Sequence, residues 1–258
     1  MNPHRPPLRV DHTVGAGAWA YFRVPGQDNL EAYSAAYPFV EVNATFYRHA
    51  SPRQAADWRR RVPEAFEFAV KAHHRITHDE ALAPTPRAID ALARSLVTAK
   101  LLRAPVLVLQ APATLKFPAA KVAEMAQLLS TANRQGIVLA LEARAHAAGD
   151  LSPPLERAMR DLDLVDATDY SRQAPRTEHE VGYTRLFGKG EHNRHEFTDA
   201  ELRAIDKAGK ATEAAKVFFT FHGVRMYQDA ARFLAFKRTG RFPRIPHGHG
   251  QTLLAEAR

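Results

Sequence analysis

The sequence predicts an α/β chain folded as a single TIM-type (β/α)8 barrel, and three observations predict it. Eight short apolar runs alternate with longer stretches of helical periodicity, the pattern of repeated βα units on a parallel sheet. The chain has 258 residues, which is long for an ordinary domain and usual for this barrel. The polar residues within the apolar runs fall late in each run, where a barrel gathers its functional groups.

The eight expected strands are HTVGAGAW from His12, FVEVNATF from Phe39, FEFAVKA from Phe66, PVLVLQA from Pro105, IVLALEAR from Ile137, LVDATD from Leu164, VGYTRLFG from Val181 and KVFFTFHG from Lys216. Between them, helices open at capping residues or first-turn prolines: Asn29 before LEAYSAAY, Ser51-Pro52, Thr85-Pro86 and Phe117-Pro118. The sixth crossover, Ser171 to Glu180, is too short for a full helix, so that helix is expected to be short or missing. An open doubly wound sheet is the alternative, but the glycine-rich first turn, Gly15 to Gly17, lacks the third glycine and the helix start of a dinucleotide fingerprint. The barrel is expected over residues 1–240, with an extended tail over 241–258.

Composition bounds the function. Hydrophobic residues at 45% and charged residues at 25% suffice for a core. The absence of cysteine excludes disulfides, a thiolate zinc site and a cysteine nucleophile. The N-terminal MNPHRPPLRV has no signal-like apolar run, and nothing approaches the roughly 18 apolar residues of a membrane span, so a soluble cytoplasmic protein with no membrane partner is expected. A net charge of +8 favours anionic partners, either a small molecule or nucleic acid. The basic residues are spread through helices such as DWRRRVP and not gathered in one arm, which also fits a merely solvated basic face.

Because side chains alternate faces along a strand, one parity of each run can be followed into the barrel. That parity carries Glu41 and Asn43 on the second strand and Lys71 in line with Ala69. It also carries Gln110 in line with Val106 and Val108, Glu142 and Arg144 above Ala140, and His222 above Thr220. Arg185 and Asp169 complete a ring on strands seven and six. Charges in a lumen are costly unless paired. The ring is therefore either a ligand site or a closed plug in which Glu41, Glu142 and Asp169 neutralise Lys71, Arg144 and Arg185.

Several blocks of the sequence resemble the YecE-like family, also called domain of unknown function 72. They are EVNATFY from Glu41, FEFAVKAHHRITH from Phe66, LQAP from Leu109 and LEAR from Leu141. YTRLFGKGEHN from Tyr183 and FHGVRMYQDAARF from Phe221 resemble the archaeal type within it. The resemblance implies a TIM-type barrel and supplies no reaction. It implies a motif set of Glu41, Asn43, Phe46, Tyr47, Lys71, Thr77, His78, Gln110, Glu142 and Arg144. Two departures weaken transfer from bacterial members: no tryptophan follows LEAR, and strand eight ends in FHG where an asparagine-bearing ending is more usual.

The chemistry expected of these residues is an enzyme acting on a phosphate-bearing substrate, with phosphoester hydrolysis the first reaction to test. Glu41 or Glu142 would be the base, His78 or His222 the acid, and Lys71 and Arg144 the stabilisers of developing negative charge, with Asp169 among the catalytic carboxylates. Asn43, Tyr47, Gln110, Arg185 and His222 would contact substrate, and Trp19, Tyr21, Phe46 and Tyr47 would stack at the rim. The preferred phosphate site is the loop pair after strands seven and eight, GKGEHN with Lys189 and HGVR with Arg225. No cofactor is expected. A divalent metal on Glu41, Glu142, Asp169 and His222 is the alternative, opposed by the surrounding cations. The His192/His195 pair and the His247/His249 tail read as loop residues without a fixed carboxylate partner. A non-catalytic small-anion binding module stays open beside the enzyme.

Overall fold

Every strand of the sheet is parallel, and all but one of the crossovers between successive strands carry a helix, as the alternating pattern requires. The structure is a computed structural model that describes residues 11–190 and 193–243. His192, His247, His249 and the tail from residue 244 lie outside the described residues. The strands are β1 (Asp11–Ala16), β2 (Phe39–Val42), β3 (Glu67–Lys71), β4 (Val106–Ala111), β5 (Val138–Ala143), β6 (Leu164–Asp166), β7 (Val181–Leu186) and β8 (Lys216–Phe221), in the order β6-β5-β4-β3-β2-β1-β8-β7. The two ends of that order meet at a single parallel bridge, Thr168 to Thr184, where the Arg185 amide donates to Thr168 O at 3.2 Å. The barrel is therefore nearly closed, with its seam between β6 and β7.

Helices α1 (Asn29–Ala36), α2 (Ala44–Tyr47), α3 (Pro52–Arg60), α4 (Pro86–Leu102), α5 (Ala119–Ser130), α6 (Pro153–Asp161), α7 (Asp199–Lys210) and α8 (Met226–Thr239) fill the crossovers. Their starts follow the capping logic. Ser51 accepts from the Gln54 amide at 3.1 Å and Thr85 from the Ala88 amide at 3.1 Å, each just ahead of a first-turn proline. At α1 the cap is Asp28, not Asn29. The Asp28 carboxylate accepts from Leu30 and Glu31, while Asn29 turns its amide to Ala20 O. No helix occupies residues 167–180, as the short sixth crossover predicts.

Strand parity sorts the core into two layers. Leu107, Leu109, Leu139, Leu141, Val217, Phe219 and Phe221 face the helices, and Phe39, Ala69, Val106, Val108, Ala140, Val165, Tyr183 and Phe218 pack inside the lumen. Each fully buried large side chain contributes about 1.5–3 kcal/mol by leaving water, so the parity is strongly enforced. Several strands stop earlier than their apolar text, β2 and β5 with consequences for the site. β2 ends at Val42, because Thr45 turns back and donates its hydroxyl toward Val42 O and Lys71 O, both at 2.7 Å, opening the short α2. β5 ends at Ala143, which puts Arg144 in a single 3-10 turn above the strand.

Candidate active site at the strand ends

The lumen is apolar at mid-height and becomes charged within one residue pair, because β2, β5 and β7 each place a charged residue two positions above an apolar or aromatic one. Arg185, above Tyr183 and 2% exposed, is the centre. Its Nε and Nη2 donate to the two oxygens of Glu41 at 3.0 and 2.9 Å, a bidentate pair, and its Nη1 donates to Glu142. Tyr183 Oη donates to Glu41 at 2.8 Å. Arg144 Nε donates to the other oxygen of Glu142 at 2.9 Å. Burial would raise both carboxyls, but the two guanidiniums hold Glu142 below the usual carboxylate range and Arg185 with His222 holds Glu41 well below it. Arg185 is raised by Glu142 and Glu41 and stays charged.

Lys71 stands apart from this network. It is 8% exposed, its Nζ lies 3.9 Å from the centroid of the Phe46 ring, and no carboxylate among the described residues lies within ion-pair distance. Burial and then the Arg185 charge pull its amine down to about 7. Gln110 contacts Arg185 weakly at 3.5 Å. His222 is stacked on Phe187 at 4.6 Å, with Nε2 3.7 Å from Glu41 and no hydrogen-bond partner among the described residues. Burial and then the Arg185 charge lower its pKa, against the raising influence of Glu41 and Glu142. Gly17 is required beneath it: a Cβ there would strike the His222 ring and the Asn43 amide, which donates to Gly17 O. His78 is exposed in a π-type turn, Arg75–Asp79, with its ring edge-on to Phe46 at 5.0 Å, and burial with the Lys71 charge lowers its pKa. Tyr47 is exposed at the rim.

Four expected site residues are placed elsewhere. Asp169 lies past the end of β6 and organises a loop. Its carboxylate accepts from Ser171 N at 2.9 Å and Oγ at 2.6 Å, Phe187 N at 2.9 Å and Gly188 N at 3.0 Å. That carboxylate occupies the amide nest where a phosphate was expected. Lys189 is exposed and 4.0 Å from Glu201, and Arg225 pairs with Glu196 at 2.9 Å, so neither reaches the ring. Trp19 turns its ring to Trp58 and Phe68 in the outer layer instead of the rim. His195 has the carboxylate partner the sequence did not suggest, Glu201 at 3.2 Å.

The closed plug therefore forms only in part, since Asp169 is missing from it and Lys71 is left over. The metal alternative loses its geometry too. Arg185 sits between Glu41 and Glu142, and no group of three or more His, Asp or Glu among the described residues is disposed to hold an ion. Tyr183, Phe187 and Gly17 were missed by sequence reasoning. Tyr183 shares the parity of Arg185 and was within reach of that argument, whereas the stacking of Phe187 carries no local signal.

An eight-stranded parallel barrel with its charged cluster at the C-terminal strand ends defines a TIM-type barrel protein. Within that class the chain belongs to the DUF72 family, whose description, "Protein of unknown function DUF72", is matched over residues 13–242. A DUF72 family protein from Enterococcus faecalis V583 superposes with a TM-score of 0.66 at 16% identity, covering 91% of this chain and 99% of that one. One from Thermotoga maritima MSB8 gives 0.66 at 16%, covering 88% and 99%. The 3-keto-D-glucoside 4-epimerase YcjR from E. coli shares the fold at a TM-score of 0.53 and 11% identity, covering 90% and 100%. In sequence, the UPF0759 protein YunF of Bacillus subtilis (strain 168) is 38% identical over 55 residues, a stretch spanning 21% of this chain and 20% of that relative. None of these matches singles out an archaeal type. No helix among the described residues is long and apolar enough to cross a membrane.

Proposed function

We propose that the protein is an enzyme that takes a small anionic substrate into the open end of its barrel, between Lys71 and Arg144. One observation carries this reading. Arg185 commits both Glu41 and Glu142, so the cluster of two carboxylates and three basic side chains leaves Lys71 without a counter-ion. A bound anion would supply what the protein withholds, and in a site shielded from water that attraction is strong. Arg144 offers the rest of its guanidinium, since among the described residues only Nε is engaged and the side chain is 35% exposed. Each cation lies over an aromatic ring, Lys71 over Phe46 at 3.9 Å and Arg144 over Phe187 at 5.2 Å.

A phosphate-bearing substrate, a nucleotide or nucleic acid included, suits the net charge of +8. Its hydrolysis is the less supported form of the proposal. The carboxylates that would activate water are hydrogen-bonded to guanidiniums and depressed in pKa, which makes both weak bases. His78, exposed beside Phe46, is the better placed proton carrier.

Thermal unfolding measured with phosphate, pyruvate, mononucleotides and short DNA tests the reading. A ligand at about a hundred times its Kd adds about 2.7 kcal/mol of stability. A rise in Tm with one of these anions that disappears in Lys71→Met and Arg144→Gln is expected. No rise with any of them, or one unchanged in both variants, would overturn the proposal.

A further inference from the structure

We infer that Lys71 is a covalent catalytic residue, whose amine condenses with the carbonyl carbon of an aldehyde or ketone that also carries a carboxylate or phosphate. The inference rests on the anion site proposed above and adds the substrate's reacting group. Its warrant is geometric. Lys71 ends β3 at the C-terminal end of the barrel, buried, against the Phe46 ring, and with no carboxylate among the described residues within ion-pair distance.

A lysine placed only to bind anions gains from a neighbouring carboxylate that keeps it charged. Here Glu41 and Glu142 are turned to Arg185, and at the amine burial first and then the Arg185 charge outweigh the opposing field of those two carboxylates, with Arg144 adding a smaller positive field. The Phe46 face favours the ammonium by about 0.5–2 kcal/mol, yet the balance still leaves the amine titrating at about 7. Half of it is then a free nucleophile at neutral pH, against about one part in a few thousand for a solvated lysine.

The step balances without an added oxidant or reductant. The Nζ lone pair forms a bond to the carbonyl carbon, and the carbonyl oxygen takes up protons and leaves as water. One of the two protons is passed from Nζ, which loses it on forming the carbinolamine, the other is drawn from solvent or through His78, and an N-protonated iminium remains on Lys71. The free N–H groups of Arg144 would hold the substrate's anionic group while the carbinolamine oxygen departs.

Reductive trapping tests this. The full chain is incubated with pyruvate or with glyceraldehyde 3-phosphate, and with propanal as an uncharged control. Sodium cyanoborohydride is then added, which delivers hydride to the iminium and leaves a stable secondary amine, and the modified lysine is located by peptide mass spectrometry. We expect Lys71 to be labelled at least about tenfold faster than any other lysine by an anionic probe, with a midpoint near pH 7 where other lysines need pH above about 9. Lys71→Met, checked for folding by circular dichroism, should lose that label and keep only the slow background. Labelling spread evenly over surface lysines, or unchanged in Lys71→Met, or no label on Lys71 with either anionic probe, would overturn the inference. Unfolding scans on the same samples separate the two claims. Stabilisation by pyruvate or phosphate without a label on Lys71 removes the covalent step and leaves the anion site standing; neither effect removes both.

Discussion

Two lysines mark the two ends of one lumen, and they are treated in opposite ways. Lys216 opens β8 at the N-terminal end, where its Nζ reaches Glu67 at 2.7 Å and Asp11 at 3.1 Å. Glu67 also accepts from Thr13 at 3.2 Å. Those partners raise the Lys216 pKa above its ordinary value despite partial burial. Lys71 closes β3 at the other end, where burial and then the Arg185 charge lower it to about 7. Both lie near an aromatic ring, Phe218 at 5.2 Å and Phe46 at 3.9 Å, so the ring is not the cause. The difference is whether the carboxylates are free to pair. At the bottom they are, and the charges close a floor. At the top Arg185 has claimed them, and a lysine is held at a cost in stability, as functional groups commonly are.

The largest expected effect breaks the top of the barrel. Arg185→Met leaves Glu41 and Glu142 buried without their main partner, and should cost about 3–5 kcal/mol in urea unfolding. Lys71→Met should move the other way. It removes a desolvated amine and keeps the volume, so the variant gains about 1–3 kcal/mol at neutral pH. The sign of its pH dependence follows from the lowered pKa. The penalty is full below about 7, shrinks as pH rises, and is gone above the ordinary lysine value of 10.5, so the gain over wild type should fade over that window.

Asp169→Ala is expected to cost about 1–3 kcal/mol by leaving amides of the β7 loop unpaired. Hydrogen exchange should then speed at Phe187 and Gly188 while the Arg185 network stays intact. Lys216→Met, partly solvated, should cost about 1 kcal/mol or less. Its contribution has the opposite pH sign to that of Lys71: present below 10.5, and lost as pH rises through its raised value.

Much of this was legible in the sequence, and the reason is parity. A strand shows alternate residues to one side, so Glu41, Lys71, Gln110, Glu142, Arg185 and His222 could be followed into the lumen from their apolar neighbours. Parity gives a face and not a partner. That Arg185 grips Glu41, 144 residues away, and not Asp169, 16 residues away, depends on where each strand stops and on the stagger of the closed sheet. β6 stops at Asp166, and the chain then turns, which carries Asp169 out to the β7 loop amides. Asn43 and Thr45 likewise looked like strand residues, because their side chains donate to backbone oxygens of distant segments, at Gly17 and Lys71. Composition likewise singled out the loops with Lys189 and Arg225 and could not show their acidic neighbours, Glu201 and Glu196.

The central claim is that the lumen's upper lysine is left without a counter-ion, and the direct measurement is its titration. The 13Cε resonance of Lys71, assigned by its loss in Lys71→Met, is followed by NMR from about pH 5 to about pH 11, a range that spans the shifted and ordinary lysine values. A midpoint at about 7, rising when phosphate or pyruvate binds, is the predicted result. A midpoint at or above 10.5, unmoved by either anion, would show that Lys71 is paired as Lys216 is and would contradict the account.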